Sequence, residues 1–173
     1  MFRYNWVLQD WKRSVHHHKE ISINKKSFYL SIDYEDFTYN LLRTIGSEPK
    51  ANFDALNLSY ELINNYCQSK LGNKKLTFFT TGILAKTYPE IVKRISDDGH
   101  EIGCHYHYHD LMFKQSNDEI NFNIELAKEY IFKACGQEAK GFRAPVFSIP
   151  ETRKDIFGIL QNHFEYDSSF VID

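Results

Sequence analysis

Cysteine is scarce and unpatterned. Cys67, Cys104 and Cys135 are odd in number and scattered, and they form no C-x-x-C pair. A reduced compartment is the simpler expectation. The first fifteen residues hold Trp6, Asp10, Trp11 and Arg13 but no apolar core of the kind a signal peptide needs. No run of about 20 apolar residues offers a membrane span. These absences point to a cytoplasmic chain with no transmembrane segment. Net charge is −2 and no basic patch stands out, so nucleic acid is not an expected partner. No fixed-length repeat is visible. What remains is ordinary for one globular domain: 173 residues, 42% hydrophobic and 25% charged. Aromatics reach 16%, with fourteen Phe and eleven Tyr. Much of that content belongs in a core, and the rest suits a surface that meets sugars or other flat ligands.

The periodicity alternates between two kinds. Ser27–Asp33 is β-branched and aromatic and reads as a strand ending in an acid. Asn52–Leu71 has apolar residues at Phe53, Leu56, Tyr60, Ile63 and Cys67, the spacing of a helix, and stops at Gly72. Lys74–Gly82 is a second strand. Ile83–Asp98 is helical, with Pro89 starting a new segment rather than sitting inside one. Glu101–His105 is a third strand. Asn117–Cys135 carries Ile120, Ile124, Ala127, Tyr130, Ile131 and Ala134 on one face, with Asn117 as its expected cap and Gly136 as its stop. Ala139–Arg143, a helix over Glu151–Asn162 and a strand over Phe164–Ile172 complete the order. Residues 1–26 are an expected N-terminal extension, in which His16, His17 and His18 read as a solvated loop. Residues 27–173 form the expected domain. Strand and helix in alternation predict an α/β fold on a parallel sheet.

Three of those strands end in chemistry-bearing residues: Asp33, His105 and Arg143. Ligands of parallel α/β folds bind at the carboxyl ends of strands, so residues distant in sequence converge there. The stretch G-H-E-I-G-C-H-Y-H-Y-H, Gly99–His109, places His105, His107 and His109 at alternate positions. Imidazole is the commonest protein metal ligand. The run D-Y-E-D supplies Asp33, Glu35 and Asp36; Asp33 and Glu35 share one side if the strand persists. Two like charges on one side are tolerable when a cation sits between them. Two histidines and a carboxylate on a metal leave positions open for water and substrate. A second carboxylate can act as base, and an arginine beside it holds it ionised and oriented.

With those residues in view, the chain resembles the polysaccharide deacetylases, the NodB-homology domains of carbohydrate esterase family 4. G-H-E-I-G-C-H-Y-H-Y-H-D-L resembles their H-x-x-x-H metal signature. S-I-D-Y-E-D-F resembles their first acidic motif in its D-x-E-D variant, typical of the exopolysaccharide-type branch. T-F-F-T-T-G resembles the second strand, G-F-R-A-P-V-F-S-I the arginine motif, and Y-D-S-S recurs there too. The resemblance implies a distorted (β/α) barrel, usually seven-stranded and here incomplete at its C-terminal end. It implies metal-dependent removal of N-acetyl groups from an amino sugar of a polysaccharide or glycan precursor. Asp33 would be the base and Arg143 its tether. His105 and His109 would hold the metal, usually Zn2+, with Glu35 or Asp36 as the carboxylate ligand; Glu35 is favoured because it shares Asp33's side. Pro145, Val146 and Phe147 would meet substrate, with a backbone N–H near Val146 at the oxyanion. Tyr106, a further substrate-contact candidate, and Tyr108 would either stack on a sugar ring or pack under the loop, packing being the favoured reading.

The family's downstream L-x-H histidine, its general acid, has no counterpart in this sequence. Two other readings therefore stand beside the deacetylase. One is a non-catalytic glycan-binding module on the same fold. The other is a related metal hydrolase acting on another C–N bond, with His105 and His107 as an H-x-H pair.

Overall fold

The computed structural model describes residues 29–36, 41, 45–46 and 53–170. The expected extension over 1–26 and its histidine run lie outside them. The described elements are β1 (Ser31–Tyr34), α1 (Phe53–Lys70), β2 (Thr77–Thr80), α2 (Gly82–Thr87), α3 (Pro89–Asp97), β3 (Glu101–Cys104), α4 (Asn117–Cys135), β4 (Gly141–Phe142), α5 (Lys154–His163) and β5 (Tyr166–Asp167). Two single 3-10 turns, Met112–Lys114 and Pro145–Phe147, follow β3 and β4. The five strands form one sheet in the order β1-β2-β3-β4-β5, and every pair is parallel. Strands that neighbour one another in chain order, with a helix between each pair, are the arrangement of a (β/α) barrel wall rather than of a doubly wound sheet.

Pleating divides each strand between two faces. On the helix-covered face lie Ile32, Tyr34, Phe78, Ile102, Cys104 and Phe142, joined in one core with Ile91, Val92 and Ile95 of α3, Ile120, Ile124, Ala127 and Ile131 of α4, and Ile156 and Leu160 of α5. Tyr34 also donates its hydroxyl to the Leu56 carbonyl at 2.6 Å, which seats α1 against β1. The opposite, concave face carries Ser31, Asp33, Thr77, Phe79, Glu101, Gly141, Arg143, Tyr166 and Ser168. Thr77 Oγ1 and Tyr166 Oη both donate to Glu101, at 2.6 and 2.9 Å. Tyr166 lies flat over β4, and only glycine fits beneath it: a Cβ on Gly141 would fall 2.1 Å from the ring. Leu58, Leu62 and Tyr66, at four-residue spacing on α1, are exposed.

The helices follow their local signals closely. Pro89 opens α3 at its first turn, where a missing N–H costs nothing. The α4 bounds match the expected apolar face, and Gly136 ends the helix in the left-handed region. The cap is a correction. Ser116, not Asn117, is the N-cap, because a capping box needs its partner three residues on. Ser116 Oγ accepts from the Glu119 N–H while the Glu119 carboxylate accepts from the Ser116 N–H. The strands are shorter than their apolar runs: four residues each of β1, β2 and β3 pair in register, and only two each of β4 and β5.

Candidate metal centre

The alternation that places Ser31 and Asp33 on the concave face does the same for Glu101, Gly103 and, one residue beyond β3, His105. Arg143 follows Gly141 in the same way. At the carboxyl end of the sheet these side chains meet. Arg143 Nη1 donates to Asp33 Oδ1 at 2.7 Å, and Nη2 donates to Ser31 Oγ and Ser168 Oγ, both at 2.8 Å. Nε reaches the Ser168 carbonyl at 3.3 Å, and the guanidinium lies 4.3 Å from the Phe79 ring centroid. Four hydrogen bonds and a ring contact therefore hold the guanidinium, and the side chain is only 14% exposed. Asp33 keeps its second oxygen, Oδ2, 4.0 Å from His105 Nε2.

Glu35, His105 and His109 offer one ligand atom each within 4.8 Å of one another. His109 Nε2 and Glu35 Oε2 are 3.3 Å apart. Ligands on one tetrahedral ion with bonds of about 2.0–2.1 Å are about 3.3 Å apart, so that pair already has the spacing an ion requires. His105 Nδ1 is 2.7 Å from the Arg143 carbonyl, an acceptor only, so Nδ1 carries the proton and Nε2 keeps its lone pair for the centre. Burial pulls the His105 imidazole below its usual range, partly offset by the Asp33 carboxylate. A neutral imidazole with its tautomer set is the form that ligates. The two nitrogens and one oxygen fit a divalent cation such as zinc.

Asp36, the alternative carboxylate, is not in this group. Its charge acts on Tyr88, whose phenol is raised by burial first and by Asp36 second. Glu35 is brought in by the continued alternation from Asp33.

Sequence spacing alone allowed His107 to stand beside His105. The structure turns it away. Tyr106 has φ of 67°, in the left-handed region, which breaks the strand alternation immediately after His105. His107 is 1% exposed and stacks on Tyr130 of α4, ring centroids 5.7 Å apart. Its Nδ1 is buried without a hydrogen-bond partner, and burial lowers its pKa to about 4. It faces the start of α2, where a Cβ on Gly82 would lie 2.4 Å from that nitrogen. The H-x-H pair is therefore not assembled.

Two substrate-contact expectations also need correction. Tyr106 is fully buried, so its ring packs under the loop and meets no sugar. Pro145 is buried as well, because it opens the 3-10 turn against the core. Val146 and Phe147 are exposed, and both have positive φ, 53° and 50°. Two consecutive non-glycine residues in this region, one β-branched, are strained at about 1–3 kcal/mol each.

Sequence alone does not single out Ser31 and Ser168, which complete the cradle for Arg143. Ser31 was discoverable, being two residues before Asp33 on the same face. Behind them, Asp167 is partly buried. Its Oδ1 accepts from the Ser169 hydroxyl and N–H, and its Oδ2 is buried without a partner. Burial pushes this acid up to about 6.

Comparison with known proteins bears on the family and the fold. The polysaccharide deacetylase family model matches residues 70–160, more than half of the chain. The chain belongs to the polysaccharide deacetylase family. It is 37% identical over 84 residues to a peptidoglycan-N-acetylglucosamine deacetylase of Bacillus cereus, covering 49% of this chain and 30% of that protein. It is 32% identical over 135 residues to chitin deacetylase 1 of Saccharomyces cerevisiae, covering 75% of this chain and 40% of that one. A solved polysaccharide deacetylase from Mycobacterium smegmatis superposes with a TM-score of 0.70 over 83% of this chain and 50% of its own, at 19% identity, and so speaks for the fold alone. The chain thus spans about a third of the length of the curated relatives it matches. This member of the family has the barrel wall of its relatives, with the His–His–Glu group at the carboxyl end of the strands.

Proposed function

We propose that this protein hydrolyses the N-acetyl group of an amino sugar in a glycan, releasing acetate, with a divalent cation held by Glu35, His105 and His109. The observation that carries the proposal is the joint placement of a base and a ligand set: Asp33 Oδ1 is bound by Arg143 while its Oδ2 faces the donor group. A bound cation would supply a more acidic water and a polarised amide carbonyl. Asp33 would act as the base, its Oδ2 placed toward the donor group to take the proton of the attacking water. Arg143 keeps Asp33 oriented through a charge-assisted bond and itself cannot swing, because the two serines and Phe79 hold its other edges. The Val146 N–H would stabilise the tetrahedral oxyanion, and the exposed Phe147 ring would meet the sugar.

Peptidoglycan and chitin are the polymers named for the two relatives above, and an N-acetylglucosamine polymer is the substrate class we favour. A cell-surface or exported glycan precursor, met on the cytoplasmic side, is the setting proposed from the sequence. Among the described residues no helix is long and apolar enough to cross a membrane.

The test is acetate release from an N-acetylated chitooligosaccharide by the zinc-loaded chain, against Asp33→Asn. Acetate release that falls at least a hundredfold in Asp33→Asn supports the proposal. Equal release by both proteins would contradict it. Binding of the oligosaccharide with no acetate at all would favour the glycan-binding module.

A further inference from the structure

Val146 and Phe147 hold positive φ side by side, and backbone strain of this kind persists only where its surroundings over-determine it. Two hydrogen bonds close the turn on itself. The Phe147 N–H donates to the Ala144 carbonyl and the Ser148 N–H to the Pro145 carbonyl, both at 3.0 Å. Those bonds set the shape of the turn but not its place in the molecule. Its two ends supply that.

At the entry, the Arg143 N–H donates to the Cys104 carbonyl of β3 at 2.9 Å. One residue on, the Ala144 N–H donates to Ser169 Oγ at 2.8 Å. Ser169 lies two residues past β5 and is buried. Its hydroxyl donates to Asp167 Oδ1, which also accepts from the Ser169 N–H at 3.2 Å. Asp167 takes up the hydroxyl proton, so the oxygen meets Ala144 as an acceptor. Ser168, its neighbour, bonds the Arg143 guanidinium. Two consecutive serines after β5 thus secure residues 143 and 144, the first by its side chain and the second by its backbone. At the exit, Ser148 Oγ accepts from the Met112 N–H at 3.1 Å, and both residues are buried. That bond joins the end of the turn to the 3-10 turn that follows β3.

We infer that Ser169 and Ser148 clamp the strained turn Pro145–Phe147 at its two ends, making both of them positioning residues for the Val146 N–H. The inference rests on the proposed deacetylation and adds two buried residues outside the reacting groups. An oxyanion donor accelerates a reaction when it is aimed before the charge develops. The φ values of Val146 and Phe147 are unfavourable for their residue types, so a released end would let the turn relax and the N–H turn with it. The residue types follow as well. Each hydroxyl accepts from a buried backbone N–H that alanine would leave unsatisfied.

The test compares the unmodified full chain with Ser169→Ala and Ser148→Ala. Acetate release from an N-acetylated chitooligosaccharide is measured on the zinc-loaded proteins, and amide hydrogen exchange on the metal-free ones. Deleting an oxyanion donor outright costs about 10²–10³ in kcat, so a donor retained but loosened should cost about tenfold. KM should stay within about twofold, because the tie matters where charge develops in the transition state. The Val146 and Phe147 amides should exchange about tenfold faster in each variant, with the α4 amides unchanged. A merely structural role would lower the melting temperature and leave kcat per folded chain as it was, which would overturn the clamp while leaving the proposed reaction intact. A raised KM at unchanged kcat, or unchanged exchange at Val146 and Phe147, would overturn it too. Should Ser169→Ala fail to fold, Ser148→Ala carries the test alone. An unmodified chain that releases no acetate would overturn the proposed reaction itself, and the clamp with it.

Discussion

Arg143→Met is the perturbation with the clearest division of effects. It keeps the unbranched stem and deletes the guanidinium, removing four hydrogen bonds and the contact with Phe79. The bond to Asp33 is charge-assisted, but the Asp33 side chain is 35% exposed and water replaces part of what is lost. Together with the serine contacts and the stacking on Phe79, the expected loss of stability is about 3 kcal/mol. The effect on the reaction is larger in kind. Asp33 would survive but swing, and misplacing a reacting group by about 1 Å costs on the order of a hundredfold. The metal site should be spared, because His105 is oriented by the backbone carbonyl of residue 143, which the substitution retains. Urea denaturation, metal analysis and acetate release on the same preparation would read all three effects. Acetate release within about threefold of the unmodified protein would refute the role given to Arg143. Complete loss of metal in a folded variant would refute the separation between base and ligand set.

His107→Ala should retain the metal and lose about 2–3 kcal/mol of stability, because its ring fills space against Tyr130, whereas His109→Ala should lose the metal; metal analysis of both separates the two histidines, and the reverse pattern would restore the H-x-H alternative. Asp167 gives a pH prediction. Its folded pKa of about 6 lies above the ordinary 3.8, so its contribution is full below pH about 4 and is lost as pH rises through 6. The expected span is about 3 kcal/mol by linkage. Urea midpoints at pH 4 and pH 8 should therefore diverge between the unmodified chain and Asp167→Asn, in the direction of a relative gain for the variant at pH 8; parallel midpoints would show that Asp167 titrates normally.

Much of this was legible because the local signals are strong. The apolar stripe from Ile120 to Ala134 needs a helix, Pro89 can only begin one, and Asp33, His105 and Arg143 each close a strand-like run. The order of those runs was enough to bring the three to one rim. What stayed hidden depends on φ angles that sequence does not advertise. Tyr106 in the left-handed region separates His105 from His107, and tyrosine gives no hint of it. Val146 is β-branched, a type that avoids the region it occupies. Asn117 and Ser116 are both good caps, and only the reach of Glu119 decides between them. The motif around Pro145 marks its neighbourhood as functional, while burial removes its own ring from the surface.

Metal analysis of the purified full chain, by plasma emission, tests the central claim most directly. The account predicts about one equivalent of zinc or a similar divalent ion per chain, retained in Asp36→Asn and lost in Glu35→Gln and His109→Ala. A folded chain that takes up no divalent ion, or one whose Glu35→Gln and His109→Ala variants hold as much as the unmodified protein, would contradict it.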